Sequence, residues 1–205
     1  TALWPEDVPA HAEKALHVVV SRTRKATAPD AGQRLATGYR LGPCDVDALV
    51  AEREAERAAS ALRAGDVRVA AEHARLALEV GIRGDTESGP LAQVRERARE
   101  QQRRARRTQA LALARGGSSD LAYPALQEVL AWERYDDEVL LALLLAEAAA
   151  VGPAAALQRY ETHRRDLAER LGVAPSQELQ RAHAQLLAAD RPTRHGIRYD
   201  ADALV

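Results

Sequence analysis

Alanine-rich runs separated by single glycines and prolines dominate this sequence from residue 45 to residue 189. The 205 residues include 44 alanines, and alanine is the strongest helix former among the amino acids. The β-branched residues that favour strands cluster only at 18–20. We therefore expect an all-α protein whose helices pack closely through small side chains.

The glycine and proline positions predict where the helices begin and end. Asp45 or Asp47 is expected to cap the first long helix, and glycines such as Gly65 and Gly172 are expected to end helices. The expected helices after residue 43 cover 45–64, 66–80, 91–115, 120–132, 136–151, 153–171 and 175–189. Because short turns join them and 35 residues separate Gly117 from Gly152, close to the ~34-residue tetratricopeptide (TPR) period, the pattern predicts a TPR-like helical-hairpin solenoid.

A different unit precedes these helices. Residues 11–27 have the period of an amphipathic helix with a basic edge, and residues 33–41 predict a tight β-hairpin around Gly38. Arg22 and Lys25 are three residues apart, so both can point toward one DNA groove. The alternative is an amphipathic helix whose basic face is simply solvated, and the residues alone favour it.

Two motifs give this unit a family resemblance. Val20-Ser21-Arg22-Thr23-Arg24 resembles the V-S-R-L-R run that ends the recognition helix of OmpR-type winged helices in SARP-type bacterial antibiotic regulators. Residues 35–41 are similar to the wing, which ends G-Y-x-L in that family. The resemblance implies a DNA-reading helix followed by a β-hairpin wing. The DNA-contacting positions that it implies are Lys14, Ser21, Arg22 and Lys25 on the helix and Thr37 on the wing.

Residues 43–190 resemble the bacterial transcriptional activator domain, which follows the winged helix in those regulators. The matching runs include Ala61-Leu62 with Gly65-Asp66, and the G-V-x-P-S-x-E-L segment at 172–179. The resemblance implies a TPR-like fold that mediates dimerisation or contacts with the transcription machinery, such as RNA polymerase. Residues 191–205 resemble the segment that leads into an NTPase domain in larger regulators of this kind.

Three regions follow from these matches. Residues 1–42 are expected to be the C-terminal part of a winged-helix DNA-binding domain, in which the recognition helix and wing are present. Residues 43–190 are expected to be the TPR-like activator domain, and residues 191–205 a linker toward a missing domain. We therefore expect the chain to be part of a larger actinobacterial regulator.

The charge distribution is uneven, although the net charge is only −1. Residues 83–115 carry +5 and residues 116–190 carry −6. Seven arginines crowd the helix expected at 91–115, at positions 95, 97, 99, 103, 104, 106 and 107. They would contact an anionic partner or form a solvated face paired with acidic neighbours, and the second reading is favoured because arginine is abundant throughout the chain.

Chemistry beyond binding is not indicated by the sequence. The six histidines lack metal-binding spacing, Cys44 is the single cysteine, and there is no phosphate-binding loop. We expect no enzymatic activity, no metal and no cofactor. No apolar run reaches the ~18 residues of a membrane helix, so a cytoplasmic protein without membrane contact is expected.

Two functions remain open. The first is a SARP-type transcriptional activator that binds double-stranded promoter DNA and pairs with a second copy or with a transcription protein. The second is a TPR-like interaction or signalling module with a degenerate winged helix that does not bind DNA. Thr23, at a position where the family has a core leucine, and a wing shortened by about three residues support the second function.

Overall fold

A computed structural model of the chain describes residues 4, 7–27, 30, 32–42, 45–80 and 92–189. Within these residues the chain forms eight α-helices and one two-stranded sheet. It divides into two compact units, Thr1–Gln109 and Ala110–Val205. Each unit has its own packing and is treated separately.

The first unit begins with a helix and a hairpin. Helix α1 spans Ala12–Ala26, and strands β1 (Gly32–Leu35) and β2 (Gly38–Leu41) pair in antiparallel register with Leu35 opposite Gly38. The hairpin therefore turns at residues 36 and 37, one step before the glycine on which the sequence centred it. Gly38 instead begins β2, where its φ of +154° suits a residue without a Cβ.

The first unit continues with α2 (Asp47–Ala64), α3 (Val67–Glu79) and the part of α4 (Ala92–Arg115) up to residue 109. Helices α2 and α3 form a helical hairpin. A core cluster of this unit contains Ala55 of α2, Ala77 of α3 and Ala105 of α4, all at most 2% exposed. Because alanine projects only a methyl group, the helix backbones approach closely. The abundant alanines of the sequence thus form the helix-to-helix contacts of this unit.

The ends of α2 show which caps the sequence predicts well. The N-cap is Val46, without a side-chain hydrogen bond, so the expected cap by Asp45 or Asp47 is wrong; Asp47 is instead the first helical residue. At the other end Gly65 adopts the left-handed conformation, with φ +85°, as expected. Its N–H bonds to the carbonyl oxygen of Leu62, and Asp66 N–H bonds to that of Ala61.

Replacing Gly65 by alanine is expected to destabilise the chain by about 1 kcal/mol, because a Cβ clashes with the backbone in the left-handed region. No other atom crowds the position, so the cost is purely conformational. Gly65→Asn is the matched control, because asparagine tolerates this conformation. Equal urea midpoints for the alanine and asparagine variants would contradict this account of the cap.

A buried carboxylate ties α2 to α3. Glu54, 6% exposed, accepts hydrogen bonds from Arg57 Nη1 (3.0 Å) and from Arg53 Nε (3.2 Å), and its Oε2 lies 2.7 Å from His73 Nδ1. Burial raises the pKa of Glu54, but these hydrogen bonds and nearby positive charges together hold it below the ordinary value. The charge is thus accommodated by three partners rather than left alone in the core.

The second unit contains the end of α4, followed by α5 (Ser119–Trp132), α6 (Asp137–Ala150), α7 (Pro153–Leu171) and α8 (Gln177–Ala189). From α5 to α8 successive helices pack against each other, and α6 also contacts α8. One core cluster contains Leu140, Leu144, Ala156, Tyr160, Leu179 and Leu186. Asp136 caps α6 by accepting from Val139 N–H, and Gly172 ends α7 with a φ of +67°.

The predicted all-α, TPR-like class with a small N-terminal hairpin is confirmed, with helix ends within two residues of those expected. The domain boundaries at 42/43 and 190/191 remain predictions. The expected linker at 191–205, the loop expected at 81–90 and Cys44 lie outside the described residues.

Candidate nucleic-acid interface

One side of α1 is fixed to the hairpin. Arg24 donates from Nε (3.0 Å) and from Nη2 to the carbonyl oxygen of Gly32, and its guanidinium lies 5.9 Å from the centre of the Tyr39 ring. His17 meets the same ring edge-on, with centroids 5.9 Å apart. A Cβ added at Gly32 would lie 3.9 Å from Val20. The hairpin thus covers the face of α1 that carries His17, Val20 and Arg24.

The predicted DNA-contacting residues of α1 lie on a different face. At 100° per residue, Lys14, Ser21, Arg22 and Lys25 fall within an arc of about 100° that excludes the hairpin-contacting side chains. All four are exposed. Among the described residues no ion pair or hydrogen bond engages the side chains of Lys14, Arg22 or Lys25. Three cations on one helix face are therefore available to an anionic partner.

Thr37 is not brought into this cluster. It lies exposed in the turn between β1 and β2, while the other four predicted residues share the face of α1. Thr37 therefore lies on a different element from the other four predicted residues. A winged helix uses its two elements in this way, with base edges contacted by the helix and phosphate by the wing.

Helix α1 and the hairpin together have little hydrophobic core. No residue of α1 is buried, and Leu16 and Val20 are only half-buried. Thr23, at the position of the family's core leucine, is exposed, and its Oγ1 donates to the carbonyl oxygen of Val19 (3.0 Å). This hydrogen bond satisfies the hydroxyl locally, so Thr23 needs no partner in another helix.

Two residues of this region were missed by the sequence interpretation. Arg24 was grouped with a basic motif, yet it holds the hairpin; only the folded hairpin brings Gly32, eight residues later, against it. Val18 is 45% exposed and lies inside the arc of the four predicted residues. An exposed valine on a basic helix face suits contact with a thymine methyl group. The signal available in the sequence was that Val18 lies four residues from both Lys14 and Arg22, which places the three side chains on one helix face.

Arg24→Ala is expected to loosen the hairpin from α1. Loss of the hydrogen bonds to Gly32 and of the stacking on Tyr39 should lower the hydrogen-exchange protection of α1 about five- to tenfold. The matched control is Arg34→Ala, because Arg34 is an exposed hairpin arginine without a contact to α1 among those described. Equal hydrogen-exchange protection of α1 in both variants would show that Arg24 does not hold the hairpin to α1.

Three arginines of α4 form ion pairs with acids of their own helix. Arg99 lies 3.6 Å from Glu96, and Arg104 lies 3.2 Å from Glu100, while Arg103 is within 4.0 Å of both glutamates. These pairs agree with the interpretation of a solvated, ion-paired face. The acidic partners of these three arginines lie one or two turns away on α4, whereas Arg115, at the end of α4, pairs with Glu138 of α6 at 2.6 Å.

Three of the described histidines contact other side chains. His73 contacts Glu54, His17 contacts Tyr39, and His183 stacks on Tyr160 with centroids 4.2 Å apart. No group of three potential metal ligands occurs among the described residues. None of the helices in that part of the chain is long and apolar enough to cross a membrane.

Comparison with known proteins supports the regulatory interpretation. The family model of the bacterial transcriptional activator domain matches residues 46–187. The fold resembles the structure of Mycobacterium tuberculosis EmbR in complex with a low affinity phosphopeptide, with a TM-score of 0.69 and 24% sequence identity. The match covers 92% of this chain and 53% of that one, so the chain spans about half of EmbR. The comparison with curated protein sequences finds no match.

Proposed function

Because the chain belongs to the bacterial transcriptional activator domain family, we propose that it acts as a SARP-type transcriptional activator that binds double-stranded promoter DNA through α1 and the hairpin. Lys14, Ser21, Arg22 and Lys25 contact bases or phosphates from the helix, and Thr37 approaches phosphate from the wing. The observation that carries this proposal is the face of α1, where three cations are exposed without partners among the described residues.

The charge pattern is compatible with this assignment even though the chain is close to neutral. Local basic surfaces bind phosphate independently of the net charge, because electrostatic interactions are screened beyond about 8–10 Å at physiological salt. Each phosphate contact by a cation releases condensed counterions from DNA. Three such contacts make the affinity steeply dependent on salt.

A salt series tests the proposal directly. Binding of the chain to a labelled random-sequence 30-bp duplex is expected to weaken with a log–log slope of about −3, as three phosphate-neutralising cations require. The measurement is fluorescence anisotropy between 50 and 200 mM salt, with the duplex as the named probe. A slope near zero, or no binding at 50 mM salt, would count against DNA contact by this face.

We place the protein-binding function in the helical body. The end of α4 and α6 line a mainly apolar groove of about 310 Å³, formed by Leu111, Leu141, Leu145 and neighbouring small residues together with the ion pair of Arg115 and Glu138. Leu145, 51% exposed, adjoins this groove, and a continuous apolar patch of this kind is suited to contact with a protein. The proposed partner is a second copy of the chain or a protein of the transcription machinery. Sedimentation of the chain and of Leu145→Glu tests the homodimer, which the glutamate should dissociate.

The interaction-module hypothesis is the second candidate function. It is favoured by the absence of buried residues in α1 and by the two-residue turn of the hairpin, which holds alanine and threonine but no arginine. In that case α1 and the hairpin are a structural remnant and the helical body alone is functional. No binding to the duplex at 50 mM salt, or binding whose salt slope is unchanged when Arg22 and Lys25 are replaced by alanine, would favour this candidate.

A further inference from the structure

The second unit contains a cavity that the proposed DNA and protein contacts do not use. It has a volume of about 520 Å³ and lies beside α5, α6 and α7. Its apolar lining includes Leu130, Leu140 and Ala155, and its polar lining includes Arg134, Gln158 and His163. A concave site with an apolar floor and a few convergent polar groups is the usual form of a ligand pocket.

The two carboxylates of the cavity already accept hydrogen bonds from protein donors. Both oxygens of Glu147 are engaged, since Oε1 accepts from Arg159 Nη2 (2.8 Å) and Tyr123 OH (3.1 Å), and Oε2 accepts from Arg159 Nε. Asp166 accepts from Tyr135 OH (3.1 Å) and from Arg170 Nε. The two carboxylates therefore have little capacity left for a ligand.

The donor groups, in contrast, are in excess. The closest charged contact of Arg134 is with Asp166 at 3.8 Å, beyond hydrogen-bond length, so most of its five N–H groups are unused within the described residues. The Gln158 side-chain amide has no hydrogen-bond partner there either. The cavity thus presents N–H groups that lack oxygen acceptors.

A buried histidine in the cavity lining also lacks a hydrogen-bond partner. His163 is only 9% exposed, and its Nε2 is buried without a hydrogen-bond partner among the described residues. Burial lowers the pKa of His163, while Asp137 and Asp166 oppose the shift, so the ring is neutral near pH 7. With the proton on Nε2 this nitrogen is a donor without an acceptor, and with the proton on Nδ1 it is an acceptor without a donor.

We propose that this cavity binds a carboxylate joined to a short apolar group. Arg134 and Gln158 donate to the carboxylate oxygens, and the apolar group lies on Leu130 and Ala155. The cavity lining holds two arginines and two carboxylates: Arg159 pairs with Glu147, and Asp166 accepts from Arg170 outside the lining, which leaves Arg134 with only its 3.8 Å contact to Asp166. The carboxylate belongs to a small free acid or to the C-terminal residue of a protein.

Titration with hexanoate, followed by ¹⁵N NMR of the 205-residue chain, tests the small-acid source. Saturable shifts are expected in α5 and α7, and Arg134→Ala should weaken binding about tenfold, as loss of a charge-assisted hydrogen bond requires. Arg165→Ala is the matched control, because Arg165 is an equally exposed arginine with one loose pair, 3.9 Å from Glu161. It should leave the affinity unchanged. Gln158→Leu provides a second cavity variant that changes no charge.

A leucine-ended tetrapeptide, used as the free acid and as the C-terminal amide, tests the protein source. Tighter binding of the acid than of the amide, lost in Arg134→Ala, supports a protein C-terminus as the ligand. Binding of hexanoate alone supports a small acid. The proposal is overturned if neither probe binds, if acid and amide bind equally, or if Arg165→Ala weakens binding as much as Arg134→Ala does.

Discussion

Replacing Arg22 and Lys25 together by alanine is expected to lower the affinity of the chain for duplex DNA by about two orders of magnitude at physiological salt. Each cation is expected to contribute about 1–3 kcal/mol when it contacts a base or a phosphate. Both side chains are exposed on one face of α1, so the substitutions remove DNA contacts without opening a core. The log–log salt slope should become less negative by about 2.

A matched control separates direct contact from a general change of charge. Arg63→Ala with Arg68→Ala removes the same net charge from exposed positions at the end of α2 and the start of α3, in the same compact unit. This double variant should retain the affinity and the slope of the wild type. Equal losses in both double variants would show that binding follows net charge and not the face of α1.

Features set by neighbouring residues were predictable from the sequence. Gly65 and Gly172 end helices because a left-handed residue is required one step after the last turn, and glycine meets that need without strain. The face shared by Lys14, Ser21, Arg22 and Lys25 likewise follows from helical spacing alone. Local signals are not uniformly reliable, since the N-cap expected at Asp45 or Asp47 is not formed.

Contacts between elements were not predictable in the same way. Arg24 bonds to Gly32 only because the hairpin folds back onto α1, and Glu54 reaches His73, 19 residues away, only because α2 and α3 pack side by side. In the sequence these residues look like ordinary surface charges. The partner of a buried charge depends on the crossing of two helices, which helical periodicity does not specify.

Glu147 shows how far a charge can mislead in a sequence. It interrupts the apolar run of 139–150, yet it is 5% exposed in α6 and belongs to the interior. Arg159 of α7 donates hydrogen bonds to both of its oxygens, and Tyr123 of α5 donates to one of them. One carboxylate therefore joins three helices of the second unit.

The pKa of Glu147 reflects this position. The hydrogen bond from Arg159 holds the pKa below the ordinary value of 4.5, against the opposing effect of burial. A carboxyl group whose pKa is lower in the folded state stabilises the fold when ionised. Its contribution is complete above the unfolded-state value and disappears as the pH falls below about 4.5 through the folded-state pKa.

Glu147→Gln is accordingly expected to destabilise the chain by about 2–3 kcal/mol at pH 7, because it leaves the half-buried Arg159 without its counter-charge. Glu161→Gln, which removes an exposed carboxylate held by Arg164 at 2.7 and 2.8 Å, should leave the urea midpoint unchanged, since exposed pairs are screened by water. Urea unfolding followed by circular dichroism between pH 7 and pH 3 measures both variants. The deficit of Glu147→Gln should shrink below pH 4.5, as the wild-type carboxyl takes up its proton; a deficit that stays constant to pH 3 would show that packing, and not charge, makes Glu147 stabilising.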